Sequence, residues 1–176
     1  HMSEQERPRL VDEATPLVDN RSVGGTWHLA TLHAPEIARR YMPGQFVHVR
    51  IPGMTEHMLR RPFSVFDVDK DRGDIDVLYG VQGFGTEHLS TLEAGANLDC
   101  EGPIGNFWHV PEGISSALLV GNGAGVSALF MLAKRLKGQG VRVHMVFGAP
   151  SKDVAVETAR TLSDALDGNV DVCTAD

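Results

Sequence analysis

The sequence has too few cysteines and cations for several classes of protein. Its two cysteines, Cys100 and Cys173, suit a reduced, cytoplasmic chain and cannot by themselves ligate an iron–sulfur cluster, so we predict both to be small buried residues. Cations are the minority, with 16 Lys and Arg against 23 Asp and Glu and a formal net charge of −7. We therefore expect no broad contact with nucleic acid or with an anionic membrane surface.

No apolar run is long enough to cross a membrane. The longest, at 128–133, is far shorter than the roughly 20 residues that a spanning helix needs, and we expect no signal peptide. Residues 1–7 begin with His-Met, and we set them aside as a tag remnant and mobile end. The remaining length allows two small domains, each with its own core.

Residues 8–112 carry the pattern of an all-β domain. Short β-type runs at 26–32, 45–51, 63–68 and 75–81 alternate with turn residues such as Pro43-Gly44 and Arg72-Gly73. Strands of this length and spacing predict a small antiparallel barrel or sandwich. We predict no helix longer than about two turns in this part of the chain.

The pattern changes near residues 111–115, and residues 113–176 predict an α/β domain. A continuous apolar run at 117–120 predicts a strand buried on both faces, and helical periodicity over 126–136 follows, with Gly138 as the stop signal. A strand at 141–147, a helix capped by Ser151 and a strand at 170–173 complete the order. Alternation of this kind predicts a parallel sheet. Trp108 could stack near a ligand, but we expect it to seal the seam between the two domains instead.

Two glycine loops have the composition of phosphate cradles. In the first, Gly83 and Gly85 allow close backbone approach, and Thr86 could cap a short helix through Ser90 whose N-terminal N–H groups would face an anion. The second has Gly121, Gly123 and Gly125 between a predicted strand and a predicted helix. A plain turn with a cap, or a turn for close packing, would also explain each loop.

The second loop does not fit the strict dinucleotide fingerprint. Val126 stands where the last glycine of that fingerprint belongs, and the next strand ends in Gly148-Ala149 with no acidic residue for a ribose. An ordinary doubly wound NAD dehydrogenase is therefore disfavoured.

A third motif, at 60–64, reads Arg-Arg-Pro-Phe-Ser. The Arg61 guanidinium can bind phosphate oxygens in a fork, Pro62 fixes the backbone, and the Ser64 hydroxyl can bond a polar ring edge, although a solvated surface arginine is the plainer interpretation. We find no nucleophile with a matching base, and we assign no catalytic side chain and no metal ligand in this chain. The chemistry would belong to a cofactor.

Taken in order, these motifs resemble the ferredoxin–NADP reductase superfamily, in which a flavin-binding antiparallel β-barrel precedes a parallel-sheet nucleotide-binding domain. Within it the chain is most similar to the electron-transfer subunits of NAD-dependent dihydroorotate dehydrogenases. The motifs that carry this resemblance are Pro-Gly-Gln-Phe-Val at 43–47, Leu-Arg-Arg-Pro-Phe-Ser-Val at 59–65, Leu-Tyr-Gly-Val at 78–81, Gly-Phe-Gly-Thr-Glu-His-Leu-Ser at 83–90 and Gly-Pro-Ile-Gly-Asn-Phe at 102–107.

The resemblance implies two nucleotide sites. For FAD it implies Arg61, Pro62, Phe63, Ser64, Leu78, Tyr79, Gly80, Gly85 and Thr86, and for NAD it implies Gly121, Gly123, Gly125 and Gly148. The NAD loop departs from the family's pattern, because Asn122 replaces a glycine, Ala128 a proline and Pro150 an arginine or serine.

The resemblance also implies partners and a larger protein. It implies a [2Fe–2S] segment outside this chain, an incomplete nucleotide domain at 113–176, and a catalytic dihydroorotate dehydrogenase subunit as partner in a heterotetramer for pyrimidine biosynthesis. Two other readings stay open: a related NAD(P)H-oxidising flavin subunit of another complex, of sulfhydrogenase or ferredoxin:NADP transhydrogenase type, and a non-catalytic flavin-binding module.

Overall fold

The computed structural model describes residues 9–54 and 59–176, so the predicted tag remnant at 1–7 lies outside the described residues. The first part of the chain forms seven strands and two short helices. The strands are β1 (Val11–Gly24), β2 (Trp27–His33), β3 (Phe46–Arg50), β4 (Arg61–Ser64), β5 (Asp67–Asp69), β6 (Asp74–Gly80) and β7 (Asn97–Ile104), and the helices are α1 (Pro35–Arg40) and α2 (Phe84–Ser90).

The seven strands form one antiparallel sheet in the order β4-β3-β7-β1-β2-β6-β5. The sheet curls so that β4 comes close to β6, where the rings of Phe63 and Tyr79 lie 6.2 Å apart in an edge contact. No ladder joins β4 to β6 among the described residues, so the predicted barrel is confirmed as a barrel that is open along this line.

Two details of the predicted barrel are wrong. The single strand predicted at 63–68 is two strands, because the chain leaves β3 after Ser64 and joins β6, where the Phe66 N–H donates to Asp76 O at 2.7 Å. Strands β1 and β7 were not predicted at all. Both lie in the middle of the sheet, and β1 pairs with β7 on one side and β2 on the other.

The second part of the chain is the predicted parallel unit. It consists of β8 (Ser116–Asn122), a 3₁₀ turn (Gly123–Val126), α3 (Ser127–Gly138), β9 (Arg142–Ala149), α4 (Lys152–Ala165) and β10 (Val170–Thr174). The strands run parallel in the order β10-β9-β8, and Ser151 is the N-cap residue of α4 as predicted. Helix α3 ends at Gly138 as predicted, but the glycine with positive φ is Gly140, at +81°, two residues further on.

The parallel sheet is covered on one face only, within the described residues. Strand β8 therefore alternates instead of being buried on both faces as predicted, and Leu118 and Val120 are 64% and 65% exposed while Leu119 packs towards the core. Cys173, predicted to be buried, is exposed on the edge strand β10 for the same reason, whereas Cys100 is fully buried.

Two hydrophobic cores form, and the second joins the two parts of the chain. The first fills the barrel; the second is built from β9, α3 and α4 and also takes in Val23, Trp27, Phe66 and Leu78 of the barrel. At this junction the rings of Phe66 and Phe130 stack at 4.6 Å. Among the described helices, none is both long and apolar enough to cross a membrane.

Candidate functional site

The site begins with Arg61, which lies over the backbone of Gly85 in the first turn of α2. A Cβ added to Gly85 would lie 2.5 Å from Cζ of Arg61, which is closer than real Cβ contacts come. Within the described residues, the acceptors that the Arg61 guanidinium reaches are both distant: the Leu59 carbonyl at 3.5 Å and Sδ of Met54 at 3.8 Å. Among the described residues it is paired with no carboxylate, so its charge remains available to an anion.

Thr86 organises the turn that leads into α2. Its Oγ1 accepts hydrogen bonds from the backbone N–H groups of Gln82 and Gly83, at 3.0 and 3.3 Å, and donates to Gly83 O at 3.0 Å. The predicted role of Thr86 as N-cap residue is wrong, because Gly83 occupies that position and Thr86 reaches back from the third helical residue. The first intrahelical bond runs from Glu87 N–H to Gly83 O, so the N–H groups of Gly85 and Thr86 precede the helical ladder.

The backbone edge of β6 forms the second half of the site. Because the Asp76 carbonyl points to the β5 side and strand residues alternate, the polar backbone groups of Leu78 and Gly80 point to that side as well. Strand β5 pairs only with residues 74–76, so it ends before reaching them. This edge presents hydrogen-bonding groups towards the opening between β4 and β6.

The side chains of Leu78 and Tyr79 point away from this edge. Leu78 is buried in the second core, while Tyr79 is buried in the barrel and its hydroxyl donates to Asn20 Oδ1 at 2.9 Å. Burial raises the pKa of Tyr79 to about 12, and the hydrogen bond with Asn20 opposes the shift. Any ligand at this edge would therefore meet the backbone of these two residues.

Strand β4 lines the opening on its other side. Among the described strands it pairs with β3 alone, along one edge, which suits Pro62, since proline cannot donate to a ladder and is confined to edge strands. Ser64 ends this strand and is partly exposed, while Phe63 packs partly against the barrel core. All nine residues predicted for FAD thus fall on two strands and one helix around the same opening.

The glycines of the predicted NAD loop differ in what they do. A Cβ on Gly121 would lie 3.0 Å from Val126 Cα, so this glycine permits close packing of the strand against the following turn. Gly123 has a φ of +58°, and a Cβ on Gly123 or Gly125 would meet nothing within 4 Å. Gly148, at the end of β9, faces the side chain of Asn122, whose Oδ1 would lie 2.6 Å from an added Cβ.

These glycines lie where ligands bind in open α/β sheets, at the carboxyl ends of the parallel strands. The 3₁₀ turn that carries Gly123 and Gly125 packs against β6 of the barrel. The structure therefore brings the predicted NAD loop next to β6, the strand whose backbone edge faces the opening between β4 and β6. Trp108 seals the seam as predicted, because its Nε1 donates to Ala128 O at 2.8 Å.

Sequence reasoning missed the charged neighbourhood of Arg60. Its guanidinium donates to both carboxylate oxygens of Asp12, at 2.9 and 2.8 Å, and to the backbone carbonyl of Asp99 at 3.2 Å. Hydrogen bonds with Asp99 and Arg60 lower the pKa of Asp12, whereas desolvation and then the bond with Asp12 raise the pKa of Asp99. Of the two adjacent arginines, Arg60 is therefore neutralised by carboxylates of the barrel, whereas Arg61 has no carboxylate partner in the part of the chain that the structure describes.

An open antiparallel barrel with an arginine-and-glycine cradle, followed by a parallel α/β unit, defines a protein of the flavin-dependent reductase class. Residues 15–109 match the family model described as an oxidoreductase FAD-binding domain. The chain belongs to this family, which makes it a component of an oxidoreductase.

Similar proteins agree with this assignment. The chain is 37% identical, over 156 residues, to a protein of Lysinibacillus sphaericus (strain C3-41) named as the electron transfer subunit of dihydroorotate dehydrogenase B (NAD(+)), and 35% identical to one of the same name from Bacillus cereus (strain 03BB102). These alignments cover 87% and 88% of this chain but 57% and 61% of the relatives. The chain thus spans little more than half the length of the relatives it matches.

Solved structures show the same fold. An NADH-dependent reduced ferredoxin-NADP oxidoreductase, described for flavin-based electron bifurcation, superposes with a TM-score of 0.76 at 27% identity. The superposition covers 91% of this chain and 58% of the oxidoreductase chain. Phthalate dioxygenase reductase gives a TM-score of 0.77 at 15% identity, covering 93% of this chain and 52% of its own. Both comparisons extend across the barrel and the parallel unit.

Proposed function

We propose that Arg61, Gly85 and Thr86 hold the diphosphate of FAD and that the edges of β4 and β6 hold its flavin ring. The observation that carries this proposal is the Arg61 guanidinium over Gly85, since it places a cation that has no carboxylate partner among the described residues beside N–H groups that precede a helical ladder. Pro62, Phe63 and Ser64 would line the ring on one side, and the backbone of Leu78, Tyr79 and Gly80 on the other.

FAD held by these residues would supply hydride exchange with a nicotinamide as well as single-electron transfer, and so would link two-electron and one-electron reactions. The chain's own part is to bind and orient. Arg61 neutralises phosphate charge, the N–H groups of Gly85 and Thr86 offer hydrogen bonds, and the packed junction around Phe66 and Phe130 keeps the barrel fixed against the parallel unit.

We propose NAD as the second nucleotide, bound at Gly121, Gly123, Gly125 and Gly148. The contact between β6 and the 3₁₀ turn supports this assignment, because it places the loop next to the strand edge that we propose for the flavin ring. Two glycines of this loop, Gly123 and Gly125, have open space around them that a ligand could occupy. Asn122 adds a side-chain amide to that loop.

For the intact protein we propose electron transfer between NAD and a catalytic dihydroorotate dehydrogenase subunit in pyrimidine biosynthesis. The support is the name shared by relatives at 35–37% identity across most of this chain. A [2Fe–2S] cluster in the intact protein would take its ligands outside this chain, since Cys100 is buried and hydrogen-bonded to Thr15. A heterotetramer and a cytoplasmic location belong to the same proposal.

A second candidate is an NADH-oxidising flavin subunit of a different complex. The 27% identity to the reduced ferredoxin-NADP oxidoreductase over 91% of the chain favours it. Affinity purification of the full-length protein from its native cells separates the two: recovery of a dihydroorotate-oxidising subunit supports the first, and recovery of another redox subunit supports the second.

Rapid mixing of the FAD-loaded full-length protein with NADH tests the electron-transfer role itself. Bleaching of flavin absorbance on a turnover timescale is the expected result. A flavin that binds but stays oxidised would instead identify a non-catalytic flavin-binding module.

A further inference from the structure

Asn20, in β1, joins the two halves of the candidate FAD site. Its Nδ2 donates to two backbone carbonyls, Leu89 O in the last turn of α2 at 2.8 Å and Leu92 O just beyond the helix at 3.0 Å. Its Oδ1 accepts the hydrogen bond from the Tyr79 hydroxyl at 2.9 Å. Both side-chain donor hydrogens and one acceptor lone pair of this amide are therefore used.

The contacts of Asn20 matter because α2 is too short to hold its own place. A helix of 7 residues is marginal by itself, so its position depends on tertiary contacts. One contact is the buried Leu89 side chain in the barrel core, and another is His88, whose Nε2 lies 2.7 Å from Pro52 O. Asn20 supplies a third, and its one side-chain amide hydrogen-bonds both to backbone carbonyls at this end of α2 and to Tyr79 on β6.

The two elements that Asn20 connects carry different parts of the site. Helix α2 contains Gly85, over which Arg61 lies, and Thr86 next to it, whereas Tyr79 lies on β6 between Leu78 and Gly80, whose backbone groups face the opening. A change in the distance between α2 and β6 would separate the groups that meet the diphosphate from those that meet the ring.

We propose that Asn20 is a positioning residue that sets the spacing between the diphosphate-binding and ring-binding parts of the FAD site. This inference rests on the proposed function and adds to it a residue that touches no ligand atom. Without the amide, the carbonyls of Leu89 and Leu92 and the Tyr79 hydroxyl would lose this shared partner together, and the hydrogen-bonded link between α2 and β6 through Asn20 would be lost.

The test compares FAD with riboflavin, which has the ring but no phosphate. Dissociation constants for both are measured by flavin fluorescence titration on the 176-residue chain and on Asn20→Ala, Tyr79→Phe and Asn169→Ala. Asn169→Ala is the matched control. The Nδ2 of Asn169 donates to Leu166 O at 3.0 Å just beyond the end of α4, so this substitution removes a hydrogen bond of the same kind at a distance from the site. Hydrogen exchange of the α2 amides is followed in the same samples.

We expect Asn20→Ala to raise the dissociation constant for FAD about tenfold, Tyr79→Phe about threefold, and Asn169→Ala less than about twofold. The riboflavin constant should change less than about twofold in all three, and α2 amides should exchange faster in Asn20→Ala alone. Loss of FAD and riboflavin affinity by equal factors, or an unchanged FAD constant, would overturn the proposal. If Asn20→Ala does not fold, Tyr79→Phe provides the test: a raised FAD constant with an unchanged riboflavin constant supports the proposal, and equal changes in the two constants overturn it. An original chain that binds no FAD would instead refute the proposed function.

Discussion

The guanidinium of Arg61 occupies the space that a side chain at Gly85 would need. The arginine is the first residue of an edge strand of the barrel and the glycine lies in the first turn of α2, so the two are far apart along the chain. Their contact explains why an arginine motif and a glycine motif occur together: the glycine makes room for the cation, and the cation lies beside the backbone N–H groups of the first helical turn.

Substitution of Gly85 by alanine tests this relationship. The added Cβ would displace Arg61, so we expect the dissociation constant for FAD to rise at least about tenfold in a fluorescence titration. Gly138→Ala is the matched control, since Gly138 is also helical but a Cβ there would meet nothing within 4 Å. The control should keep its FAD affinity and gain up to about 1 kcal/mol of stability. Equal FAD affinity in the two variants would contradict the cradle.

Arg61 itself should act through its planar fork as well as through its charge. Arg61→Lys keeps the charge but loses bidentate geometry, so we expect FAD binding to weaken about tenfold, and Arg61→Ala to weaken it about a hundredfold. Arg39→Ala, which removes an exposed arginine paired with Glu36 on α1, serves as the control. If Arg61→Ala retained FAD as well as Arg39→Ala does, the diphosphate could not lie at this arginine.

Asn122 and Gly148 should be coupled in NADH binding. A Cβ on Gly148 would lie 2.6 Å from Asn122 Oδ1, so Gly148→Ala should disturb the loop, and a second substitution, Asn122→Gly, should relieve the overlap. We expect the double variant to bind NADH more tightly than Gly148→Ala alone, measured by calorimetry in a double-mutant cycle. Additive losses would show that the two residues act independently.

Stability should fall at alkaline pH because of Cys100. Desolvation raises the pKa of its thiol from 9.0 to about 12, so the unfolded chain loses this proton before the folded chain does. The free energy of unfolding should therefore fall as the pH rises from about 9 to about 12, by at most about 1.4 kcal/mol per pH unit for this one group.

Urea denaturation at about pH 8 and about pH 10.5 measures the effect. Cys100→Ala should flatten the pH dependence, although burial also raises the pKa of Tyr41 and of Tyr79 to about 12 and leaves some slope at the upper end. Cys173→Ala is the control because Cys173 is exposed, and it should keep the original slope. If Cys100→Ala left the pH dependence of the free energy of unfolding unchanged, the Cys100 thiol could not be its cause.

The motifs in the sequence predict which residues surround the site better than they predict the strand pairing and side-chain contacts that bring those residues together. Turn residues and helical periodicity are local signals, and they suffice for β6, α3 and the parallel order of β8, β9 and β10. Strand β1 escaped prediction because Pro16 and several charged residues interrupt its apolar alternation, and its pairing with β7 and β2 comes from residues far along the chain. Asn20 was missed with it.

Other differences come from partners that no local pattern reveals. The run at 117–120 is apolar throughout, yet Leu118 and Val120 are exposed because only one face of the sheet is covered within the described residues. Arg60 and Arg61 are neighbours with the same chemistry, and only the strand order, which brings Asp12 and Asp99 to Arg60, distinguishes them. The contact of Arg61 with Gly85 likewise depends on how the barrel closes.

The measurement that tests the central claim most directly is reconstitution of the purified chain with FAD, followed by removal of unbound flavin and an absorbance spectrum. The account predicts a yellow protein with about one FAD per chain, and loss of that colour in Gly85→Ala but not in Gly138→Ala. A folded chain that stays colourless at saturating FAD would contradict it.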